Sequence, residues 1–448
     1  MIASGRADET MHETEAARAV RSGASPEDPR VARERTLQID DAWMRELLVD
    51  LLRIPSPSGR TDEVMQVLGE EVDKLGLTFT LNRRGAMRIR LTEGDAPRRA
   101  VVVHADTIGC GVRRIKDNGR LAVVPIGTHS ARFSEGARVM VFTDEPGRTL
   151  TGTILPLKAS GHAYGSEVET QGIGWDHVEL RLDAHASTRQ QVQALGVNVG
   201  DFVALHALPE VTRTGYVKSR HLDDKAGVAA ALAAVKAIVD FDIELPVGAD
   251  LLITITEEVG HGASSGLHAD VAEMLSIDSA VVAPEQSSSE HAVTIAMQDM
   301  VAPFDFHLTR KLIGIADRHH VPFRRDVFVN YRSDVAAALE AGAETRAALI
   351  GPGVDATHGH ERTHLDAIRA TAQLVALYLQ TELTFPSWDI AAAGPLEEFP
   401  SRSVQPADRA PGITDGDGNG GLDATAPQTP GVDAGAEERG GAAAPPQN

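Results

Sequence analysis

Strand-like apolar segments alternate with helical segments along most of the chain, and no other feature of the sequence constrains the fold as strongly. The segments "RAVVVHAD" (99–106) and "LLITITEE" (251–258) have the apolar and β-branched residues of buried strands. The segments "KAGVAAALAAVKAIV" (225–239) and "AIRATAQLVALYLQ" (367–380) are typical of buried helices. This alternation predicts an α/β fold in three layers, with a mixed sheet between helices.

Residues 109–218 interrupt the alternation. Short strand-like segments such as "ARVMVFT" (137–143) and "HVELRLD" (177–183) follow one another there, separated by turn residues. This pattern predicts a small β-barrel-like domain inserted into the α/β domain. The α/β domain is then discontinuous, comprising residues 37–108 and 219–385.

Composition limits the class of protein. The 448 residues are 42% hydrophobic and 24% charged, as in a soluble globular protein, whereas segments 1–36 and 386–448 lack an apolar period and are predicted to be disordered tails. The net charge of −21 argues against nucleic-acid binding. No run approaches the ~18–20 apolar residues that span a membrane. The N-terminal segment has no apolar signal core and Cys110 is the only cysteine, so we expect a cytoplasmic protein.

Acidic residues and histidines recur at the ends of predicted strands and in the loops that follow them. Ligands of open α/β sheets gather beyond the carboxyl ends of the strands, so these side chains are expected to meet in one crevice. The candidates are His104, Asp106, Asp223, Asp224, Glu257, Glu258, Asp278 and His358.

So many carboxylates in one crevice would repel each other unless a cation balances them. Three carboxylates, from Asp223, Glu258 and Asp278, and two neutral imidazoles, from His104 and His358, leave a net charge of +1 around two divalent ions. A bridging hydroxide would neutralise that charge. The residue set therefore predicts two metal ions that lie about 3.5–4 Å from each other and activate a water molecule.

The neighbours Glu257 and Glu258 are expected to have different roles, because successive side chains of a strand point to opposite sides. One would ligate a metal and the other would act as general base toward the activated water. Asp106 is placed to accept the second ring N–H of His104 and so fix its tautomer. Asp224 is expected to cap the helix that follows it or to support the ligands.

Five segments, in this order, resemble the dinuclear metallo-aminopeptidases that include the glutamyl and tetrahedral aminopeptidases. The resemblance extends from about residue 40 to residue 382. It is strongest to the branch associated with the N-acetylglutaminylglutamine amide osmoprotectant system, whose members carry segments like "TILPLKASGH" and "SRHLDDKAGVAA". The five segments are "HADTIG", "RHLDDKAG", "TITEEVGHGA", "SID" and "THGHE".

The resemblance implies a role for each site residue. His104 and Asp278 would ligate one metal, Glu258 and His358 the other, and Asp223 would bridge both. Glu257 would be the general base. Mixed nitrogen and oxygen ligands suit zinc first, with cobalt or manganese as alternatives.

The resemblance also implies that residues 109–218 form the dimerisation domain of a homo-oligomer, often a dodecamer. Two departures from the family pattern stand out. Thr107 replaces an acid that often follows the Asp of the first motif, and Gly359-His360 replaces the usual Ser-Pro after the last histidine. The final ligand therefore stays open among His358, His360 and His364, although the spacing to the closing helix fits His358 best.

These features together predict a catalytic domain that removes N-terminal residues from short peptides. One alternative is a deacylase or amidase acting on blocked dipeptide amides at the same site. Another is a shell-forming binding protein without catalysis. A glycosidase is disfavoured, because its two carboxyl groups must lie roughly 5 Å or more apart across a cleft, whereas Glu257 and Glu258 are neighbours.

Overall fold

The computed structural model describes residues 34–92 and 98–385. The predicted C-terminal tail and residues 1–33 of the predicted N-terminal tail lie outside the described residues. The three residues 34–36 that follow contact the folded part, since Arg318 pairs with Glu34 and the Arg35 N–H donates to Gln380. No helix within the described ranges is long and apolar enough to cross a membrane.

The described residues form nine α-helices. In chain order they are α1 (Asp41–Arg53), α2 (Asp62–Lys74), α3 (Gly161–Tyr164), α4 (Glu167–Thr170), α5 (Arg189–Ala194), α6 (Leu222–Asp240), α7 (Phe306–Arg318), α8 (Asp334–Glu340) and α9 (Leu365–Leu379).

The same ranges contain eighteen strands. The first nine are β1 (Thr78–Leu81), β2 (Met87–Arg90), β3 (Arg98–His104), β4 (Gly109–Ile115), β5 (Leu121–Ile126), β6 (Arg138–Phe142), β7 (Thr149–Pro156), β8 (Val178–Leu182) and β9 (Phe202–Leu205). The others are β10 (Glu210–Val211), β11 (Tyr216–Ser219), β12 (Gly248–Thr254), β13 (Val271–Ile277), β14 (Ala280–Val282), β15 (Val293–Gln298), β16 (Phe323–Val327), β17 (Arg346–Asp355) and β18 (Glu361–His364).

Twelve strands form one mixed sheet. Its main path runs β1-β2-β12-β3-β13-β17-β18-β11-β10, and the neighbours β12, β3, β13 and β17 pair in parallel. Every residue of β12 is buried, which is typical of a sheet covered on both faces. Helix α6 packs against helices α9 and α1 and against strand β3. The predicted α/β fold class is thus confirmed.

The remaining six strands close into a barrel in the order β4-β5-β8-β7-β6-β9. Its interior holds a separate apolar cluster that includes Val112, Val139, Ile154, Leu180 and Val203. The predicted barrel is therefore present. Strand β10 and all of β11 except Ser219 lie within residues 109–218, but both strands belong to the large sheet instead. The exact limits of the inserted domain remain a prediction.

Candidate active site

His104 is the last residue of β3, and its buried ring points into a crevice at the carboxyl end of the parallel strands. Its Nδ1 lies 3.0 Å from the main-chain oxygen of Asp106 and 3.7 Å from Asp106 Oδ1. The main-chain carbonyl is thus the nearer partner of this ring nitrogen, whereas sequence reasoning favoured the carboxylate. The arrangement leaves Nε2 to face the crevice.

Asp223 lies between two histidines. Its Oδ1 is 3.2 Å from His104 Nε2, and its Oδ2 is 3.6 Å from His358 Nε2. The backbone of Asp223 and Asp224 is non-helical, so the regular turns of α6 begin only after them. Each oxygen of one carboxylate therefore faces a different imidazole, which is the geometry of a bridging ligand.

Asp278 and Glu257 lie on the His104 side of Asp223. His104 Nε2 is 3.7 Å from Asp278 Oδ1 and 3.9 Å from Glu257 Oε2. Single ligand atoms from His104, Asp223 and Asp278 lie within 4.8 Å of one another, so these three residues can hold one metal ion. Asp278 directly follows β13, a strand that sequence reasoning missed.

Glu258 and His358 lie on the other side of Asp223. His358 Nε2 is 3.4 Å from Glu258 Oε2, while its Nδ1 lies 2.6 Å from the carbonyl oxygen of Thr128. Glu258 Oε1 accepts the N–H of Ile108. Glu257 and Glu258 thus point toward different histidines, as expected of successive side chains after a strand.

Asp106 joins β3 to the loop after β12. Its Oδ1 accepts the N–H of Glu257 at 3.1 Å and its Oδ2 accepts the N–H of Glu258 at 3.3 Å. The hydroxyl of Ser58 donates to Oδ2 at 2.5 Å. Asp106 therefore positions the two glutamates through their backbone.

Asp224 acts as a helix cap, one of the two roles expected for it. Its Oδ1 accepts the N–H of Gly227 at 3.1 Å. A Cβ at position 227 would lie 2.1 Å from Asp224 Oδ2, so only glycine leaves room for this carboxylate.

Sequence reasoning missed Glu361, which is buried on the far side of Asp223 and His358. Its carboxylate accepts the N–H of Asp223 at 3.2 Å and the N–H of His358 at 2.9 Å. Burial, and then the charge of Asp223, raises its pKa to about 8. The only sequence signal was its place in the "THGHE" segment. Glu361 fixes the relative position of two candidate ligands.

Two further residues near the site come from the segment 331–334. Asp334 Oδ2 accepts the hydroxyl of Thr254 at 2.6 Å and Oδ1 accepts the N–H of Ala263 at 2.7 Å, which holds the loop that carries Glu257. The hydroxyl of Tyr331 is buried beside Asp278 without a hydrogen bond of ordinary geometry to any described residue. Burial, and then the charge of Asp278, raises the pKa of Tyr331 well above its usual value.

The site carries an excess of negative charge. Burial and the neighbouring carboxylates raise the pKa of Glu257 and Glu258 well above the usual value. Burial alone would lower the pKa of His104, but its contacts with Asp106, Asp223 and Asp278 raise it well above normal. Within the described residues, no lysine or arginine forms an ion pair with Asp223, Glu257, Glu258 or Asp278.

Asp223 behaves differently from the other acids. Burial alone would raise its pKa, but the hydrogen bond with His104 and the charge of His358 hold the pKa below its usual value. It is the carboxylate with imidazoles on both sides. Two donor groups, His104 with Asp278 and His358 with Glu258, therefore flank one shared carboxylate. The His104 group meets the distances of a three-residue metal site, and both groups combine nitrogen and oxygen donors.

The other two histidines considered for the last ligand lie elsewhere. His364 Nε2 is 2.7 Å from the Thr214 carbonyl oxygen, and its Nδ1 is 3.1 Å from Asp366 Oδ2. Burial lowers the pKa of His360, with Arg220 and Lys218 contributing further. Of the three, His358 is the histidine whose ring forms close contacts with Asp223 and Glu258.

Known proteins resemble this chain in sequence and in fold. The sequence profile of the M42 glutamyl aminopeptidase family matches residues 85–374. The protein "Putative aminopeptidase YhfE" of Bacillus subtilis (strain 168) is 35% identical over 339 residues, which cover 75% of this chain and 97% of that protein.

Solved structures extend the likeness to the fold. A TET aminopeptidase from a marine sediment Thaumarchaeota archaeon superimposes with a TM-score of 0.70 at 19% identity, over 75% of this chain and 96% of that one. The TET1 peptidase of Pyrococcus horikoshii, described as able to assemble into a tetrahedron or a large octahedral shell, gives a TM-score of 0.67 at 24% identity. That likeness covers 76% of this chain and all of the other.

Proposed function

This chain belongs to the M42 glutamyl aminopeptidase family, and we propose that it is an aminopeptidase that removes N-terminal residues from short peptides by means of two divalent metal ions. One observation carries the proposal. The two oxygens of the buried Asp223 face His104 and His358 at 3.2 and 3.6 Å, which supports a bridging role for this carboxylate. Asp278 would complete the ligand set of one ion and Glu258 that of the other.

The proposed ions are zinc, with cobalt or manganese as alternatives, because nitrogen and oxygen donors suit all three. When bound, they supply Lewis-acid polarisation of the scissile carbonyl and lower the pKa of a water molecule toward neutrality. The buried carboxylates would then be balanced by positive charge. No residue of this chain needs to form a covalent bond with the substrate.

Glu257 is the proposed general base. Its carboxylate lies 3.9 Å from His104 Nε2 and accepts no hydrogen bond from the described residues, whereas Glu258 Oε1 accepts the Ile108 N–H. The Glu257 carboxylate would take a proton from the water and deliver it to the leaving amine. Asp106 Oδ1 accepts the Glu257 N–H, so Asp106 would keep the Glu257 carboxylate in position.

The barrel is the proposed dimerisation domain of a homo-oligomer. Support comes from the fold likeness to the TET1 peptidase, which is described as assembling into closed shells. A closed shell, for example a dodecamer, would admit only short or unfolded peptides. Localisation in the cytoplasm and the link to the N-acetylglutaminylglutamine amide osmolyte remain predictions. No feature of the site geometry favours the deacylase or the binding-shell alternative.

A peptide panel tests the proposed function. Purified protein would be incubated with zinc, cobalt or manganese and with free dipeptides, free tetrapeptides, Gln-Gln-amide and the N-acetylated form of that amide. We expect release of the free first residue, which stops when a chelator is added. The products would be read by mass spectrometry.

Two variants accompany the panel. Glu257→Gln is expected to lower kcat by roughly 10²–10⁴-fold, the usual contribution of a general base. Glu244→Gln, at an exposed position before the amino end of β12 and thus at the opposite end of that strand from Glu257, is expected to match the unaltered protein. Full activity of Glu257→Gln, or turnover in the presence of chelator, would contradict the proposed mechanism. Cleavage of the acetylated compound alone would point to the deacylase.

A further inference from the structure

A second group of metal-binding side chains lies outside the candidate active site. His291 lies in the turn before β15, His364 ends β18 and caps α9, and Asp366 lies in the first turn of α9. Single ligand atoms from these three residues lie within 4.8 Å of one another. Their three-residue cluster is partly exposed, so water can complete the coordination of a bound ion.

In each of the three side chains, one polar atom points away from the cluster and has a partner of its own, which leaves the other polar atom directed into the cluster. His364 Nε2 lies 2.7 Å from the carbonyl oxygen of Thr214, and His291 Nε2 lies 3.2 Å from the hydroxyl of Tyr216. Asp366 Oδ1 accepts a hydrogen bond from Arg369 at 2.8 Å. The Nδ1 atoms of both histidines and Oδ2 of Asp366 converge, although His364 Nδ1 also accepts the Asp366 N–H at 3.1 Å.

This pattern is that of a metal site. A histidine that ligates a metal through one nitrogen generally donates its other ring N–H to a carbonyl or another oxygen, which fixes the tautomer and the ring orientation. The cluster has such an oxygen behind each imidazole. The rings of His291 and His364 also pack against each other with centroids 4.5 Å apart, and Tyr216 packs edge-on against both. The ligand atoms are therefore held in place before an ion arrives.

One of the three converging atoms, His364 Nδ1, also takes part in the cap of α9. His364 Nε2 donates to a carbonyl, and its Nδ1 accepts the N–H of Asp366 at 3.1 Å, so Nδ1 carries a lone pair. That same Nδ1 lies 3.1 Å from the carboxylate oxygen Oδ2 of Asp366, and His291 Nδ1 lies 3.7 Å from this oxygen. The lone pair of Nδ1 is thus engaged by the Asp366 N–H, and an ion bound at this nitrogen would take the place of that hydrogen bond and lie between Nδ1 and Oδ2.

Positive side chains near the cluster are already paired. Arg369 contacts Asp41 at 2.7 Å in addition to Asp366, and Arg362, which stacks over Tyr216, pairs with Glu290 through both carboxylate oxygens. Their charge is thus partly balanced and opposes a cation less than an unpaired arginine would.

We propose that His291, His364 and Asp366 bind one divalent first-row transition ion, separate from the candidate active site. Two imidazole nitrogens and one carboxylate oxygen suit zinc, nickel or copper rather than magnesium or calcium, which prefer all-oxygen sites. The ion would join the turn before β15, the end of β18 and the start of α9. The proposal rests on this cluster alone and not on the proposed peptidase activity.

Metal content tests the proposal. The full chain, freed of any purification tag, would be dialysed against zinc at a fixed low concentration, and bound zinc per chain would be measured by mass spectrometry of the metal. We expect His291→Ala and Asp366→Asn each to bind one ion fewer per chain than the unaltered protein. Both should keep its aminopeptidase activity and its far-ultraviolet circular dichroism.

A matched control separates this site from general surface binding. His268 and Asp270 form an exposed pair at 2.6 Å and belong to no such three-residue group among the described residues. His268→Ala should therefore keep the full metal content. Added zinc should also raise the Tm of the unaltered protein more than that of His291→Ala, because binding stabilises the folded state.

Equal metal content in His291→Ala and the unaltered protein would overturn the proposal and leave His364 as a cap of α9 only. Equal loss in His268→Ala would also overturn it, since surface histidines would then bind zinc unspecifically. Failure of the proposed peptidase mechanism would look different, because it would change turnover and not the difference of one ion between these variants.

Discussion

Strands β3 and β13 carry buried charged groups at both of their ends, and the two ends differ in how the charge is balanced. At the amino ends, Arg99 and Glu273 are register partners in the sheet. At the carboxyl ends, His104 and Asp278 enter the candidate active site. Both groups are almost entirely shielded from solvent.

At the amino ends, the buried charges of Arg99 and Glu273 lie beside charges of the opposite sign. Arg99 Nη2 lies 3.3 Å from Glu273 Oε2, and Nη1 donates to the main-chain carbonyls of Tyr378 and Thr381 at the end of α9. Glu273 also accepts the hydroxyl of Tyr378 at 2.8 Å and lies 3.7 Å from Lys311 Nζ. Burial alone would raise the pKa of Glu273, but Lys311 and Arg99 lower it from 4.5 to about 2.

The carboxyl-end group is not balanced by its own side chains. Four carboxylates contact only two imidazoles there, and burial together with mutual repulsion raises the pKa of most of them. A buried charge that has its own counter-charge becomes costly only when that partner is removed, whereas a group with excess charge of one sign calls for a ligand of the opposite sign. Each of the following experiments acts on one end and uses the other as its reference.

The largest effect is expected from Asp223→Asn at the carboxyl end. An amide cannot bridge two cations as a carboxylate does, so metal content should fall and kcat should drop by at least roughly 10³-fold, about 4 kcal/mol of transition-state stabilisation. Metal analysis and kinetics on a cleaved dipeptide would check this. Glu273→Gln is the matched control and should keep its metal content. Equal loss of metal in both variants would erase the distinction between the two ends.

Glu273→Gln at the amino end should lower the free energy of unfolding by roughly 3–5 kcal/mol at pH 7, because Arg99 loses its buried counter-charge. Urea denaturation would measure this loss. The metal-free and metal-loaded forms should lose the same amount. Tyr378→Phe, which removes one donor to Glu273, should cost about 1–2 kcal/mol.

The pH dependence of that loss has a definite sign. The pKa of Glu273 is lower in the folded state than in the unfolded chain, so its ionisation stabilises the fold above about pH 4.5, by about 3 kcal/mol. This contribution is lost as the pH falls from 4.5 toward 2. The stability difference between Glu273→Gln and the unaltered protein should therefore narrow over that range, and a constant difference would contradict the assigned pKa.

Of the two ends, only the carboxyl end should respond to chelation. With free metal at 100 times its Kd, removal of each bound ion should lower the free energy of unfolding by about 3 kcal/mol, with recovery on addition of zinc, cobalt or manganese. Calorimetry with and without chelator measures this. An Asp223→Asn variant should respond less, and an unchanged Tm in the unaltered protein would mean that the carboxylates are balanced in some other way.

The smallest effect is expected from Tyr331→Phe. The buried hydroxyl lies beside Asp278 and has no hydrogen bond of ordinary geometry to a described residue. If it donates one during the reaction, its loss should lower kcat about 10-fold, or about 1.4 kcal/mol. Steady-state kinetics would separate kcat from KM. A change in Tm without a change in kcat would make Tyr331 a packing residue only.

Local sequence was a good guide to the carboxyl end of the sheet. His104 ends a strand of β-branched and apolar residues, and the Glu257-Glu258 pair follows another. Both the strands and the polar side chains at their ends could therefore be predicted from local sequence. Strand β13 was missed, because Ala272, Glu273, Met274 and Leu275 favour helices as much as strands and only burial between β3 and β17 decides their conformation.

Residues that act through the backbone were harder to predict. Glu361 holds the N–H groups of Asp223 and His358, which are 138 and 3 positions away. Asp334 holds Thr254 and Ala263 across the sheet edge. No periodicity marks such residues, since a carboxylate that accepts two backbone N–H groups looks like any surface acid in the sequence.

The sequence by itself determined which side chains can carry charge and which strands carry them to the edge of a sheet, because side-chain chemistry and strand periodicity are local properties. The tertiary structure decided which histidine meets Glu258, which oxygen of Asp223 faces which imidazole, and which buried charges have counter-charges. Those outcomes depend on distances between segments far apart in the chain, and only the packing of the sheet and helices sets such distances.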